Sequence, residues 1–324
     1  MTSIPTLDCS NIAMNLKDEE ISVETLKEFG QNLFESFQVY GCAVLVNHGV
    51  CNKSISDAWE ANKSFNSLGY KEKMQYEPGQ VTGFHNMHGY QAMGKYDGPI
   101  DIDWCIRESF RFVPTRAKET NFNPDDSVPG YTEAFTNLWE ASYQLAKRLL
   151  TSLTFPLAIK NQNYFTELFE HIHTQGCNAT GLRGNGYQAV PEQLKDDKFA
   201  KSDRFTEHTD KGMFTVLYQD VVSGLQVQAR SGAYIVAKHV PGSILVQVGE
   251  ILQRVTADKI PATPHKVVVT EEQKKQSRHS LAYFLFPDKD QLLTCFDGSD
   301  TYPPIRTTQM TDTPDKLLHF EKAA

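Results

Sequence analysis

At 324 residues the chain can bury a large apolar core, and a composition 40% hydrophobic and 22% charged is that of a globular protein. Forty acidic side chains against 32 basic ones give a formal charge of -8 and a pI near 5.7, and no Lys/Arg run forms a basic stripe, which argues against a nucleic-acid partner. No apolar stretch is long enough to span a bilayer, and residues 1–11 lack the charged and apolar regions of a signal peptide, so a cytoplasmic protein without a membrane partner is expected.

In chain order, Leu26, Phe29, Leu33, Phe37 and Tyr40 recur every three to four residues and predict an amphipathic helix stopped by Gly41. The apolar run over 42–50 predicts a buried strand, and Ile55, Trp59, Phe65 and Leu68 return to helical spacing. Residues 79–97 hold four glycines and little periodicity, the pattern of a long loop or irregular hairpin, where functional residues often sit. A long helix follows over about 131–153, with Tyr131, Phe135, Leu138, Ser142, Leu145 and Leu149 on one face and Pro156 behind its end. From about residue 178 the pattern changes to short extended segments, "FTVLYQD", "GLQVQA", "AYIVAK", "SILVQVG", "HKVVVT" and "SLAYFLFP", separated by Gly, Pro and Ser. With no helix-length segment between them they predict a β-sandwich or barrel, backed by the earlier helices. Six scattered cysteines, Cys9, Cys42, Cys51, Cys105, Cys177 and Cys295, form no CxxC pair and are expected to be reduced thiols. Sequons at Asn62 and Asn178 carry no weight without a secretion signal.

Within the β-rich half, His208 and Asp210 stand two apart, a spacing that in a strand aims both side chains at one point while Thr209 faces away. Alone, such a pair reads as a surface pair or an ordinary hydrogen-bonded imidazole. His265, 55 residues after Asp210 at the start of another predicted strand, supplies a third ligand if the barrel returns the two strands side by side. Two histidines and one carboxylate on one face leave three positions open, the set suited to Fe(II) and oxygen chemistry. Arg278 and Ser280, again two apart, form a guanidinium and hydroxyl pair built to hold a carboxylate; without the triad the same pair would read as a structural salt bridge.

These stretches, "HTDKGMFTVLYQDVVSGLQV" at 208–227, "PGSILVQVGEILQ" at 241–253, His265 and "RHSLAYFLFP" at 278–287, resemble the Fe(II)- and 2-oxoglutarate-dependent dioxygenases of the isopenicillin N synthase-like branch. Upstream, "IPTLD" at 4–8, "YGCAVLVNHGV" at 40–50 and "LRGNGYQAVP" at 182–191 resemble the same branch, so the likeness runs from about residue 4 to 288. It implies a mainly β fold with flanking helices and a double-stranded β-helix, or jelly-roll, core. One compact unit is expected: residues 1–120 as a helical and extended region packing on the core, and 121–324 as the helix-backed jelly-roll with a C-terminal tail.

The resemblance also implies roles. His208, Asp210 and His265 would be the catalytic iron ligands, and Arg278, Ser280 and Tyr187 would hold 2-oxoglutarate. Asn185 lies on the same strand face as Tyr187 and would reach the same pocket, or else would be a turn-forming Asn between Gly184 and Gly186. Phe84, His85, Met87, His88 and Tyr90 would line the substrate pocket. The implied reaction consumes O2, decarboxylates 2-oxoglutarate to succinate and CO2, and oxidises a small organic molecule, by hydroxylation as the default outcome. Glu250 stands where Asp is commoner and Lys266 where Arg is frequent, positions that bear on packing. Arg-x-Ser also occurs in relatives that take no 2-oxoglutarate. An oxidative cyclase of the isopenicillin N synthase type, or an ascorbate-using oxidase of the aminocyclopropanecarboxylate type, is therefore the enzymatic alternative. A non-catalytic small-molecule binder is a third, although a pocket that only binds has no need of all three ligands. The pairs His171/His173 and His85/His88 have no matching further ligand and read as hydrogen-bonded or solvated histidines. Composition leaves the oligomeric state open.

Overall fold

Ser22 opens the first helix, α1 (Val23–Tyr40), its hydroxyl accepting the Thr25 N–H, and Gly41 closes it in the left-handed region at φ 64°. The computed structural model describes residues 3–78, 87–92, 107–118, 123–189, 204–269 and 273–312. Around α1 lie β1 (Thr6–Asp8) and β2 (Cys42–Val46), followed by α2 (Asn52–Ser67), β3 (Gly89–Gln91) and β4 (Arg107–Phe112). The long helix α3 (Tyr131–Leu153) leads to β5 (Gly181–Tyr187), β6 (Phe205–His208), β7 (Phe214–Gln219), β8 (Leu225–Gln228), β9 (Tyr234–Val236) and β10 (Ile244–Val248). The short helix α4 (Glu250–Val255), β11 (His265–Val267) and β12 (Arg278–Leu285) complete the core.

These strands form a major sheet of order β1-β2-β10-β7-β12-β5-β4-β3 and a minor sheet of order β6-β11-β8-β9. Apart from β1 with β2, every pairing is antiparallel. The segment before residue 120 adds strands at both edges of the major sheet, β1 and β2 at one and β4 and β3 at the other. Part of the glycine-rich stretch over 79–97 is therefore a strand: β3 pairs with β4, setting Gly89 opposite Arg111 and Gln91 opposite Ser109.

Side chains alternate across the major sheet, and each face meets a different layer. One face packs on α1, α2 and α3: Phe110 against Tyr131, Phe112 against Phe135, Phe214 against Phe37 and Tyr283 against Trp139, with ring centroids 5.3 to 6.0 Å apart. The other faces the minor sheet across a smaller apolar cluster in which Val44, Leu217, Leu245 and Ala282 meet Phe205, Leu225, Val227 and Val267. This is the jelly-roll arrangement of two facing sheets backed by helices on one side. Glycines at 184 and 186 let α2 approach β5 closely, since an added Cβ would lie 2.2 Å from Asn62 Oδ1 and 2.1 Å from Asn66 Oδ1. Asn62 is fully buried there, donating to the Asn185 carbonyl.

All five described cysteines are free thiols. No described helix is long and apolar enough to cross a membrane.

Candidate active site

Antiparallel pairing of β11 with β6 sets His265 directly opposite His208. Strand β6 ends at His208, so Asp210 sits in the turn beyond it and not in the strand, as the i, i+2 reading expects. The turn nonetheless brings its carboxylate back: Oδ1 is 3.8 Å from His208 Nε2 and Oδ2 is 3.9 Å from His265 Nε2. One ligand atom from each of the three residues lies within 4.8 Å of the others, and this is the one such group among the described His, Cys, Asp and Glu side chains.

Backbone carbonyls orient both rings. His208 Nδ1 is 2.8 Å from the Thr206 carbonyl and His265 Nδ1 is 2.9 Å from that of Thr263, so each Nδ1–H donates outward and each Nε2 lone pair faces its neighbour. Burial, and then the neighbouring His265, Arg107 and Arg183, hold His208 well below its ordinary pKa, which keeps it in the neutral, metal-binding form. Asp210 is fixed from two sides, by the Thr215 hydroxyl on its carboxylate and by the Glu250 N–H, 2.8 Å from its backbone carbonyl. The Glu250 carboxylate in turn takes the Thr209 hydroxyl and lies 3.3 Å from Lys211 Nζ, so the residues flanking Asp210 are tied to the start of α4. Two imidazoles and one carboxylate form a donor set that fits Fe(II).

A second group lies beside the first. In the β5–β12 register Arg278 is opposite Tyr187 and Ser280 opposite Asn185, and all four are buried on the face that meets the minor sheet. Asn185 Nδ2 donates to Ser280 Oγ at 3.1 Å, which settles the choice between pocket residue and turn former: Asn185 is in a strand and turned inward. Arg278 Nε donates to the Val222 carbonyl at 3.3 Å, with its guanidinium 5.0 Å from the Tyr187 ring centre. Its Nη1 and Asn185 Oδ1 are buried with no partner, a donor and an acceptor left for a bound molecule. Arg204, which also approaches Tyr187, is bound instead to the carbonyls of Gln273 and Gln276.

Both groups open into one small cavity of about 60 Å³, lined also by Arg107, Phe205, Thr215, Gln247 and Phe284. Sequence reasoning missed these five. Arg107 belongs to "RESFRF", a strand whose alternate residues Arg107, Ser109 and Arg111 share one face; the alternation was legible, but the direction of the face was not. Gln247, 1% exposed, has a buried amide nitrogen without a partner.

The expected substrate residues fall elsewhere. Phe84 and His85 lie outside the described residues. Met87, just before β3, is half-buried and is not among the cavity-lining residues. His88 and Tyr90 are corrected from pocket to core: Tyr90 pairs with Phe110 and so shares its helix-facing side. There Tyr90 donates to Glu108 at 2.7 Å, and His88 accepts the Val113 N–H at 3.0 Å between the rings of Phe110 and Phe112. His173 is exposed against Trp139 and Tyr143, and the His171 N–H donates to Asp288.

With this geometry in hand, comparison with known proteins gives consistent matches. Residues 182–287 match the sequence model of the 2OG-Fe(II) oxygenase superfamily, and residues 4–141 that of the non-haem dioxygenase in morphine synthesis N-terminal region. The chain is 29% identical over 284 residues to a 2-oxoglutarate-Fe(II) type oxidoreductase of Metarhizium rileyi, covering 82% of this chain and 77% of that protein. It is 25% identical over 288 residues to a 2-oxoglutarate-dependent dioxygenase of Aspergillus rugulosus, covering 81% and 83%. A Neurospora crassa protein crystallised with alpha-ketoglutarate has the same fold, with a TM-score of 0.79, 24% identity and coverage of 95% and 94%.

Proposed function

The chain belongs to the 2-oxoglutarate-Fe(II) oxygenase superfamily, and on that premise we propose that His208, Asp210 and His265 hold its iron and that Arg278, Ser280, Tyr187 and Asn185 hold 2-oxoglutarate. It is a dioxygenase acting on a small organic metabolite, with Fe(II), 2-oxoglutarate and O2 as cofactor and cosubstrates. The observation that carries the residue assignment is the facing pair His208 and His265, both tethered through Nδ1, with Asp210 between their Nε2 atoms. Once bound, iron supplies the oxidising chemistry, as 2-oxoglutarate gives up CO2 to become succinate.

The chain's own residues supply position and environment. The carbonyls of Thr206 and Thr263 fix the tautomer of each imidazole, and Thr215 keeps the Asp210 carboxylate turned inward. Arg278 offers charge and Ser280 a hydroxyl to a carboxylate, while the Tyr187 ring lies beside the guanidinium, 5.0 Å from it. Leu217, Leu225, Val267, Ala282 and Phe284 keep the remaining wall apolar, which limits water around the reacting atoms. The outcome is hydroxylation of the substrate C–H bond that this cavity presents to the metal.

The test is release of labelled CO2 from 2-oxo[1-14C]glutarate by Fe(II)-loaded protein, followed with a metabolite panel. Arg278→Ala should weaken 2-oxoglutarate binding by roughly 2 to 5 kcal/mol, at least about 30-fold, with iron affinity unchanged. Equal loss of both affinities, or turnover driven by ascorbate without 2-oxoglutarate, would defeat the assignment.

A further inference from the structure

Strand β10 breaks its own pattern at one residue. Ile244, Val246 and Val248 pack into the helix-side core and Leu245 into the apolar cluster between the sheets, whereas Gln247, on the same face as Leu245, buries a primary amide. It is 1% exposed, and its Nε2 donor has no partner. A buried amide donor left unpaired is costly, and a Leu or Val at this position would avoid the cost.

Register places this amide beside the metal group. Gln247 is opposite Thr215 on β7, and the Thr215 hydroxyl donates to the Asp210 carboxylate. On its other side Gln247 is opposite Cys42 of β2, a buried free thiol. Neither neighbour takes the amide N–H. Gln247 lines the same cavity as His208, Asp210 and His265, and in a space of about 60 Å³ it faces the same few atoms of any occupant as they do. The far end of the cavity has its own unpartnered donor, Arg278 Nη1. Phe284 stands opposite Thr215, in one row with Gln247, and Arg278 lies at the other end of β12. An unpartnered donor at each end suits a molecule with oxygen acceptors at both of its ends.

We infer that Gln247 is a further binding residue for the cosubstrate: its Nε2–H donates to an oxygen of the keto-acid end of 2-oxoglutarate, while Arg278 and Ser280 hold the distal carboxylate. This rests on the proposed function, which brings 2-oxoglutarate into this cavity. The cost of burying the amide is then offset only when the cosubstrate is bound, so Gln247 serves affinity and not the fold.

The experiment uses full-length Mn(II)-loaded protein, which does not turn over. Calorimetry gives the affinities for metal and for 2-oxoglutarate in the parent, in Gln247→Met, which removes the donor at nearly the same length, and in Gln247→Leu. Both variants should bind 2-oxoglutarate about tenfold or more weakly, the loss expected for a hydrogen bond to a charged acceptor, with metal affinity unchanged. In anaerobic Fe(II)-loaded protein saturated with 2-oxoglutarate, the charge-transfer absorption of the metal–keto-acid chelate should shift in Gln247→Met, because the acceptor has lost its donor. Without ligand, the urea midpoints of both variants should equal or exceed the parent's, since an unpaired buried donor has been removed. Unchanged 2-oxoglutarate affinity, a parallel loss of metal affinity or an unshifted absorption band would each overturn the inference. A lowered midpoint or a failure to fold in both variants would also overturn it, by showing the amide to be part of the fold's own hydrogen bonding. If the parent binds 2-oxoglutarate and the variants bind it equally well, only this inference falls. Failure of the parent to bind 2-oxoglutarate is a separate result, and it would remove the proposed function together with this inference.

Discussion

The two faces of the major sheet are made by the same strands, residue by residue in alternation, and both are buried, yet they do different work. The helix side of β4, β7, β10 and β12 carries Phe110, Phe112, Phe214, Val216, Val246, Leu281 and Tyr283. The side toward the minor sheet carries Arg107, Ser109, Thr215, Gln247, Arg278 and Ser280, each 7% exposed or less. Burial therefore does not distinguish core from site here. What distinguishes them is that one face buries apolar rings, which stabilise the fold, and the other buries polar groups, which are costly unless a partner fills the cavity. The unpartnered atoms at Arg278, Asn185 and Gln247 all lie on the second face.

That contrast can be broken or sharpened by substitution, one face at a time. Asp210→Ala should abolish iron retention and turnover, a loss beyond about 100-fold, while leaving the helix-side core intact; metal titration and the thermal unfolding midpoint check the two halves. On the other face, Phe110→Ala removes a fully buried ring packed on Phe65 and Tyr131 and should cost about 3 to 5 kcal/mol in urea unfolding. The surviving folded protein should bind 2-oxoglutarate with unchanged affinity, and a parallel loss would show that the faces are coupled.

The helix side also holds His88, and burial above all pushes its pKa down to about 4 from the ordinary 6.5. The unfolded chain then takes up this proton first as the pH falls. The stability is fully present above pH 6.5 and is lost between 6.5 and 4, by about 3 kcal/mol. Urea midpoints at pH 7 and pH 4.5 for the parent and His88→Asn should show the steeper decline in the parent. The smallest expected effect is on the site face: Thr215→Val deletes the hydroxyl that donates to Asp210 and should weaken iron binding about tenfold with little change in stability, read by calorimetry.

Much of this contrast was legible in the sequence, but unevenly. Helices α1, α2 and α3 announced themselves because an apolar stripe every three to four residues is a local signal, and Gly41 stops α1 where expected. Asparagine 185 could be read either as a turn or as a pocket residue, and only its pairing with Ser280 decided it. Tyr90 and His88 went to the wrong side because β3 is three residues long inside a glycine-rich stretch, too short to show a period. Arg107 was overlooked for a related reason: "RESFRF" alternates visibly, but which face meets the minor sheet depends on its register with Tyr187 and Asn185.

By itself the sequence determined the kind of chemistry, since two histidines, one carboxylate and an Arg-x-Ser pair at these spacings are information carried along the chain. It also determined the helices and the change to a β-rich second half, because both are periodicities of neighbouring residues. Only the tertiary structure decided which face of each strand became a site. That choice depends on hydrogen-bond register between segments as distant as 107 and 187, or 208 and 265, and no local periodicity encodes it.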